Sequence, residues 1–182
     1  MRCSWVDLKD NEYIAYHDHE WGIPVHDDRL LFEMLVLEGF QAGLSWQCVL
    51  HKRKNFRLVF DNFDAKKVAV YDEKKVVQLI QNKGLIRHKL KIQSAIKNAK
   101  IFLKIQEEFG SFSAYIWGWT KGKVIRVDST QTRSTLSDQI SKDLKKRGMS
   151  FVGTTIMYSY LCAIGIINAH EKGCDFYQSN TF

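Results

Sequence analysis

Proline is nearly absent from this chain, since Pro24 is the only one among 182 residues. Proline breaks helices because it lacks a backbone N–H and its ring clashes with the preceding turn. Apolar residues recur mostly at intervals of three and four, the spacing that places them on one face of an α-helix. The sequence therefore predicts an all-α protein in which no strand can be placed firmly.

Length and charge narrow the class of protein further. A chain of 182 residues can bury one core well and is short for two, so we expect a single domain over residues 1–182. Lys and Arg number 27 against 20 Asp and Glu, which gives a formal net charge of +7. Such an excess favours a polyanionic partner such as nucleic acid, although the charge alone is weak support.

Neither a membrane span nor a secretory signal is predicted. No apolar stretch reaches the roughly 20 residues that cross a bilayer, and the longest, residues 156–167, is interrupted by Tyr158 and Tyr160. The N-terminus has one basic residue but no apolar segment after it. We therefore expect a cytoplasmic protein whose cysteines are thiols or metal ligands. Cys48 and Cys162 have apolar or aromatic neighbours and are expected to be buried thiols.

Capping residues and the apolar period place the helices. Asp27 or Asp28 begins a helix that reaches about Leu37, and a second helix begins near Ser45. Later helices are predicted from the caps Asp64 and Asp72, over about 88–104, from Ser137 to the stop at Lys145-Lys146-Arg147-Gly148, and over about 154–168. Residues 118–135 are rich in Gly, Thr, Ser and Lys and are expected to form a surface connection.

Two Cys and two His near the ends of the chain could hold a metal ion. His170 and Cys174 are one helical turn apart, which places them on one side if the last helix continues that far. Cys3 and His17 would complete the closed Cys2His2 set expected of structural zinc, and His19 is a rival to His17 that the sequence separates poorly. A closed site leaves no position for water, so this metal would support folding and would not catalyse hydrolysis.

Two segments combine large aromatic residues with polar ones. Tyr13, Tyr16 and Trp21 lie close together in the sequence, and an aromatic corner of the core is the more frequent explanation of such a cluster. Glu38 follows an apolar helical stretch and precedes two glycines and Trp46. A carboxylate is costly to bury unless it is paired or hydrogen-bonded, so Glu38 is either a structural acceptor or part of a site.

A glycine turn between two helices, residues 82–92, carries two apolar anchors and several basic residues. This layout suggests a helix-hairpin-helix over about residues 72–104. Free backbone N–H groups at such a turn, and at the start of the helix after it, can bind a DNA phosphate without reading the base sequence. An ordinary helical connection with solvated lysines explains this stretch equally well on its own.

These segments together resemble the DNA-3-methyladenine glycosylase I family of bacteria. The resemblance extends from Cys3 to Cys174, and its motifs stand in the family's order. The motifs are Tyr13-Ile14-Ala15-Tyr16-His17-Asp18, Glu20-Trp21-Gly22, Leu37-Glu38-Gly39, Gln41-Ala42-Gly43-Leu44-Ser45-Trp46, Gly84-Leu85-Ile86-Arg87-His88 with Lys91-Ile92, and Lys145-Lys146-Arg147-Gly148 with Phe151-Val152-Gly153-Thr154-Thr155. The resemblance implies the helix-hairpin-helix glycosylase fold, with one structural zinc ion on Cys3, His17, His170 and Cys174. It thereby selects His17 over His19.

The resemblance also implies a base pocket formed by Tyr13, Tyr16, Glu38 and Trp46, with Trp21 as a supporting wall. Methylation at N3 leaves adenine cationic, and aromatic faces attract such a base through contacts worth about 2 kcal/mol when desolvated. Glu38 can accept hydrogen bonds from the amino edge of the base and supply negative charge, and it is the candidate catalytic residue.

DNA contacts are implied in the same way. The target base must leave the stack, and Gly43 and Leu44 are expected to fill the gap, with Leu44 as an apolar wedge. The hairpin residues expected to contact phosphates are Gly84, Arg87, Lys89 and Lys91. Asp128 and Asp138 are expected at the surface, and no catalytic aspartate is assigned.

The implied activity is hydrolysis of the N-glycosidic bond by water. It would release free 3-methyladenine from alkylated double-stranded DNA and leave an abasic site, and we expect the enzyme to act as a monomer. The rival interpretation is a non-catalytic, zinc-stapled DNA-binding module, which would have no need of Glu38. A zinc hydrolase is excluded by the closed ligand set.

Overall fold

The computed structural model describes residues 1–127 and 131–177 of the chain. This part contains ten α-helices, which are α1 (Asn11–His19), α2 (Asp28–Gln41), α3 (Trp46–Leu50), α4 (Arg53–Val59), α5 (Ala65–Ala69), α6 (Glu73–Gln81), α7 (Lys89–Phe109), α8 (Phe112–Gly118), α9 (Thr135–Lys146) and α10 (Thr154–Ala163). A 3₁₀ turn covers Asp61–Phe63, and two short strands, β1 (Ile125–Arg126) and β2 (Ile167–Asn168), pair in parallel. The predicted all-α class is therefore confirmed, apart from this one strand pair.

Side-chain caps begin most of the predicted helices. Asp27, Asp64 and Asp72 accept backbone N–H groups at the starts of α2, α5 and α6, as their sequence positions predict. The predicted start of α9 is wrong by three residues. Ser134 is the N-cap, and Ser137 closes a capping box by accepting a hydrogen bond from the Ser134 backbone. Either serine can cap a helix, and only the paired geometry distinguishes them.

Other helix boundaries also differ from the prediction, and a contact between distant segments explains the end of the last helix. The helix expected from Ser45 is two helices, α3 and α4, and α1 and α8 were not predicted. The last helix ends at Ala163 and not near Asn168, because Gly165 has φ +75° and lies against the backbone of Ile23. A Cβ on Gly165 would lie 2.3 Å from the Ile23 carbonyl carbon, so the chain can turn here only with glycine.

Helix α2 lies at the centre of the hydrophobic core. Every residue from Leu31 to Phe40 is buried, so the helix is apolar on nearly all sides and continues through Gly39. Phe32 of α2 packs against Phe102 of α7 with ring centroids 5.0 Å apart. Two carboxyl groups, Glu33 and Glu38, are carried into the core on this helix.

A smaller apolar cluster joins the two ends of the described chain. It consists of Cys3, Val6 and Cys174, with Trp5 and Trp21 among the partly buried residues packed against it. None of the helices in residues 1–127 and 131–177 is both long and apolar enough to cross a membrane. The cluster holds the two ends of the described part of the chain together, beside the aromatic residues that precede α2.

Candidate functional site

A cavity of about 250 Å³ opens between α1, α2, α3 and α10. All five residues predicted for the base pocket line it, namely Tyr13, Tyr16, Trp21, Glu38 and Trp46. The other lining residues among those described are Trp5, Gln41, Gln131, Thr132, Thr155, Tyr158, Ser159, Cys162 and Ala169. Five side chains from three stretches of the sequence therefore converge on one cavity.

Helix α1 forms one wall and is fixed against α3. Tyr13 and Tyr16 are three residues apart, a spacing that puts both on one face of α1. Asp10 caps α1 and also accepts hydrogen bonds from Gln47 Nε2 at 2.7 Å and His51 Nε2 at 2.6 Å, both at α3. The hydrogen bond from Gln47 is the main cause of the lowered pKa of Asp10. This link holds Tyr16 against Trp46, with ring centroids 5.2 Å apart.

Trp5 also lines the cavity, and the sequence did not indicate it. Its ring centroid lies 5.3 Å from that of Tyr13 and 4.9 Å from that of Trp21. The one feature of the sequence that could have indicated Trp5 is its position two residues after the candidate ligand Cys3. Thr155 and Ser159 of α10 were also missed, because α10 is apolar on most sides, although polar residues four apart mark one face.

Glu38 is a buried carboxyl group with an unpartnered oxygen. It is 3% exposed, and among the described residues its Oε2 has no hydrogen-bond partner. Burial raises its pKa from 4.5 to about 8. The raised pKa favours the protonated form of Glu38 in the free protein at neutral pH, and the negative charge expected beside a bound base stays a prediction. In the protonated form the group can both donate and accept a hydrogen bond.

Glu33, on the same helix, is a buried carboxylate with a structural role, and it is paired with two arginines. Its Oε1 accepts hydrogen bonds from Arg53 Nε at 2.5 Å and from Arg57 Nε at 2.9 Å. No cation is paired with Glu38 within the described part of the chain. Because an uncompensated buried carboxyl is costly, the contrast with Glu33 indicates that a ligand completes the surroundings of Glu38.

Trp46 provides a second unpartnered polar atom in the cavity wall. Its side chain is 8% exposed, and its Nε1 has no acceptor among the residues described. Each such buried group costs about 1–3 kcal/mol when it lacks a partner. Trp46 Nε1 and Glu38 Oε2 therefore indicate a flat polar ligand that presents both donors and acceptors between aromatic rings.

The two cysteines outside the predicted metal site, Cys48 and Cys162, lie in different environments. Cys162 is buried, as predicted, and burial raises the pKa of its thiol well above the usual range. It also lines the cavity, which the sequence did not indicate. Cys48 is only partly buried, so the prediction of a buried thiol is wrong there. It lies in α3, beside the buried Trp46 and Val49.

Gly43 and Leu44 form a tight turn beside Glu38. Leu44 N donates to Gln41 O at 2.7 Å, Ala42 has φ −46° and ψ 114°, and Gly43 has φ +79°. These values correspond to a type II turn, whose third residue needs a positive φ and favours glycine. Leu44 is 41% exposed, and a smaller cavity of about 200 Å³ is lined by the turn and Glu38.

Gly84 does not offer the free backbone donor that the hairpin prediction assumed. Its backbone N–H donates to Asn82 Oδ1 at 2.8 Å, so it is not available for a phosphate. A Cβ on Gly84 would lie 2.6 Å from Cγ of Asn55, whose amide also donates to Asn82 Oδ1 at 3.2 Å. A side chain at position 84 would therefore displace the Asn55 amide from Asn82.

The start of α7 presents the free donors instead. The backbone N–H groups of Lys89 and Leu90 form no hydrogen bond with another described residue. Arg87 is exposed, and Lys89 is exposed and paired with Glu73, with Nζ 3.0 Å from Oε1. Lys91 was expected to contact phosphate, but it is 7% exposed and donates to backbone carbonyls, so that expectation is wrong.

Four ligand atoms of the predicted metal site lie within 4.8 Å of one another, one each from Cys3, His17, His170 and Cys174. All four residues are buried, whereas His19 is exposed and lies outside the cluster. His170 and Cys174 are not on a continued helix, since the chain runs through β2 and turns before reaching them. The predicted set is therefore brought together, although not by the helical spacing that suggested it.

Neighbouring side chains orient both histidines toward the centre of the cluster. His17 Nδ1 lies 2.8 Å from Asp18 Oδ1, and His170 Nδ1 lies 3.1 Å from Asn168 Oδ1. His170 Nε2 is buried without a hydrogen-bond partner among the described residues. Two thiols and two ring nitrogens held in this way fit the donor set and outer shell of a structural zinc ion.

Known proteins resemble this chain along nearly its whole length. The chain matches a family described as methyladenine glycosylase over residues 5–178. It is 46% identical to DNA-3-methyladenine glycosylase 1 of Escherichia coli (strain K12), over 98% of each chain. A crystal structure of 3-methyladenine DNA glycosylase I matches with a TM-score of 0.92 at 46% identity, covering 96% of this chain and 98% of that one. A Tyr-to-Phe variant of 3-methyladenine DNA glycosylase I, in complex with 3-methyladenine, matches with a TM-score of 0.91 at 34% identity over 96% of each chain.

Proposed function

This chain belongs to the methyladenine glycosylase family, and from that premise we propose that it removes 3-methyladenine from alkylated DNA. The reaction is hydrolysis of the N-glycosidic bond, with free base and an abasic site as products. One observation carries the proposal beyond family membership. The aromatic cavity holds two buried polar atoms, Glu38 Oε2 and Trp46 Nε1, that have no partner in the described structure.

The cavity suits a purine that has left the DNA stack. Tyr16 and Trp46 offer aromatic faces on which a planar base can stack, and cation–π contact would favour a base that carries positive charge. Glu38 can hydrogen-bond the amino edge of the base, and Trp46 Nε1 can donate to a ring nitrogen. Leu44, exposed on the adjacent turn, is the apolar wedge that would fill the gap left in the duplex.

Catalysis depends on holding and polarising a base that is already a good leaving group. Among the described residues that line the cavity, Glu38 is the only carboxyl group, and none is a lysine that could form a Schiff base. Asp138 is hydrogen-bonded to Arg133 and Thr154 away from the cavity, and Asp128 lies outside the described residues. The protein therefore contributes extrusion, orientation and electrostatic stabilisation while water attacks the sugar.

A helix-hairpin-helix formed by α6, residues 82–88 and α7 would hold the DNA backbone. The unpartnered N–H groups of Lys89 and Leu90 at the start of α7 are suited to one phosphate, with Arg87 and Lys89 supplying positive charge. Gly84 supports this grip indirectly by leaving space for Asn55. The net charge of +7 favours the same polyanionic partner.

The Cys3, His17, His170 and Cys174 cluster would hold a structural zinc ion that joins the two ends of one domain. Such an ion stabilises the fold when bound and has no part in the reaction. Trp5 and Trp21 pack on this cluster and also line the cavity, so the cluster supports one wall of the base pocket. We expect the enzyme to act as a monomer in the bacterial cytoplasm.

The experiment that tests the function is a base-release assay. The protein is incubated with duplex DNA treated with a methylating agent, and the released bases are identified by chromatography. Release of 3-methyladenine is expected. DNA binding without any released base would instead identify a non-catalytic DNA-binding module, which has no use for the unpartnered carboxyl of Glu38.

A further inference from the structure

Lys91 is a buried cation that joins the start of α7 to the end of α2. Its Nζ donates to the carbonyl oxygens of Phe40 at 2.9 Å and Ala42 at 2.6 Å. Burial lowers the pKa of Lys91, because removal from water disfavours the charged ammonium. The C-terminal end of a helix carries partial negative charge, so the position of the ammonium offsets that effect.

The hydrogen bond from Lys91 to the Ala42 carbonyl fixes the central peptide of the turn, which joins Ala42 to Gly43. Type I and type II turns differ mainly in the direction of the peptide between their second and third residues, here Ala42 and Gly43. In a planar trans peptide the C=O and N–H point in opposite directions. Because the Ala42 carbonyl is directed at Lys91, the Gly43 N–H faces away from α7, and it donates to no other described residue.

We propose that Lys91 is a positioning residue that locks the Ala42–Gly43 peptide in the type II orientation. The lock presents the Gly43 N–H and the side chain of Leu44 together on the side of the turn that meets DNA. This inference rests on the proposed function, in which Leu44 is the wedge. Lys91 is the third residue of α7, in the turn whose free N–H groups are proposed to bind a phosphate. It therefore also couples phosphate binding to the turn that carries Leu44.

A purely structural role for Lys91 would produce a different pattern. If the ammonium only stabilised the end of α2, its loss would also disturb Glu38, which lies one turn earlier on that helix. Affinity for free base would then fall together with activity on DNA. A lock on the turn changes activity on duplex DNA while the pocket continues to bind free base.

The test uses Lys91→Met, which keeps most of the side-chain stem and removes the donors, with Lys104→Met as control. Lys104 is an exposed lysine on the same helix, so it reports the loss of one positive charge. In the free protein, we expect the amide NMR signals of Gly43 and Leu44 to move or broaden in Lys91→Met only. Excision from duplex DNA should fall about tenfold, the scale set by losing a hydrogen bond from a charged donor. Affinity for free 3-methyladenine should stay within about twofold of wild type.

A double-mutant cycle with Leu44→Ala separates the lock from an independent effect. If Lys91 acts through the wedge, Lys91→Met should reduce excision by less than about twofold in the Leu44→Ala background. Unchanged Gly43 and Leu44 signals in Lys91→Met, or losses that multiply in the double variant, would overturn the proposal. Failure of wild type to release any base would refute the proposed function instead, and the NMR comparison would still decide whether Lys91 holds the turn.

Discussion

Glu38→Gln should make the free protein more stable than wild type, by a margin that grows as the pH rises. The reason is that it removes a carboxyl group that is buried without a partner. Burial raises the pKa of Glu38 from 4.5 to about 8. An acid whose pKa is higher in the folded state does not oppose folding below its unfolded pKa, and it destabilises the fold as the pH rises toward the folded pKa. The difference, 8 − 4.5 = 3.5, corresponds to roughly 5 kcal/mol at about 1.4 kcal/mol per pH unit.

The assay is urea denaturation followed by tryptophan fluorescence at a series of pH values from about 5 to 9, with wild type and variant compared at each. The stability advantage of Glu38→Gln should grow with pH and level off above about 8. Glu33→Gln is the matched control on the same helix. It leaves Arg53 with one acceptor fewer in a buried site, and should cost about 3–5 kcal/mol. A pH-independent difference for Glu38→Gln would refute the reasoning that its carboxyl is buried and unpaired.

Two further predictions concern the metal cluster and the hairpin. Cys174→Ala should lose bound zinc and melt at a markedly lower temperature, since structural zinc is worth about 10–16 kcal/mol of apparent binding free energy in small peptides; unchanged zinc content by atomic absorption would contradict the four-ligand site. Gly84→Ala should weaken binding to abasic-site DNA of any sequence while leaving free-base affinity unchanged, because the new Cβ meets Asn55. Gly118→Ala, whose Cβ would have no neighbour within 4 Å among the described residues, is its control. Equal DNA affinity of the two glycine variants in titrations at several salt concentrations would place the phosphate grip elsewhere.

The residues that line the pocket are predicted mainly from the family resemblance, and only Glu38 is unusual in its sequence surroundings by itself. Glu38 stands out within an apolar helix, and Tyr13, Tyr16 and Trp46 occur in motifs shared with a known family. Thr155 also stands in a shared motif, but neither Thr155 nor Ser159 is assigned to the pocket from the sequence, since α10 is apolar around them and only packing shows which face meets the cavity.

The main errors arose where a distant contact overrides a local preference. Lys91 looks like its exposed neighbour Lys89, and only tertiary structure buries it against the end of α2. The sequence extends the last helix to about Asn168, yet Gly165 turns the chain against Ile23 and allows the strand pair to form. Local propensity carries no information on either contact, because each depends on residues far away in the chain.

The central claim is that the aromatic cavity binds 3-methyladenine through Glu38. Titrating the free base into wild type and Glu38→Gln while following tryptophan fluorescence tests this directly, because Trp5, Trp21 and Trp46 line the cavity. Wild type should bind saturably. Glu38→Gln should fold and bind undamaged DNA normally but bind the base less tightly, since an amide cannot ionise to offer two acceptor oxygens. Equal affinities of the two proteins would contradict the claim and leave Glu38 without a role in base recognition.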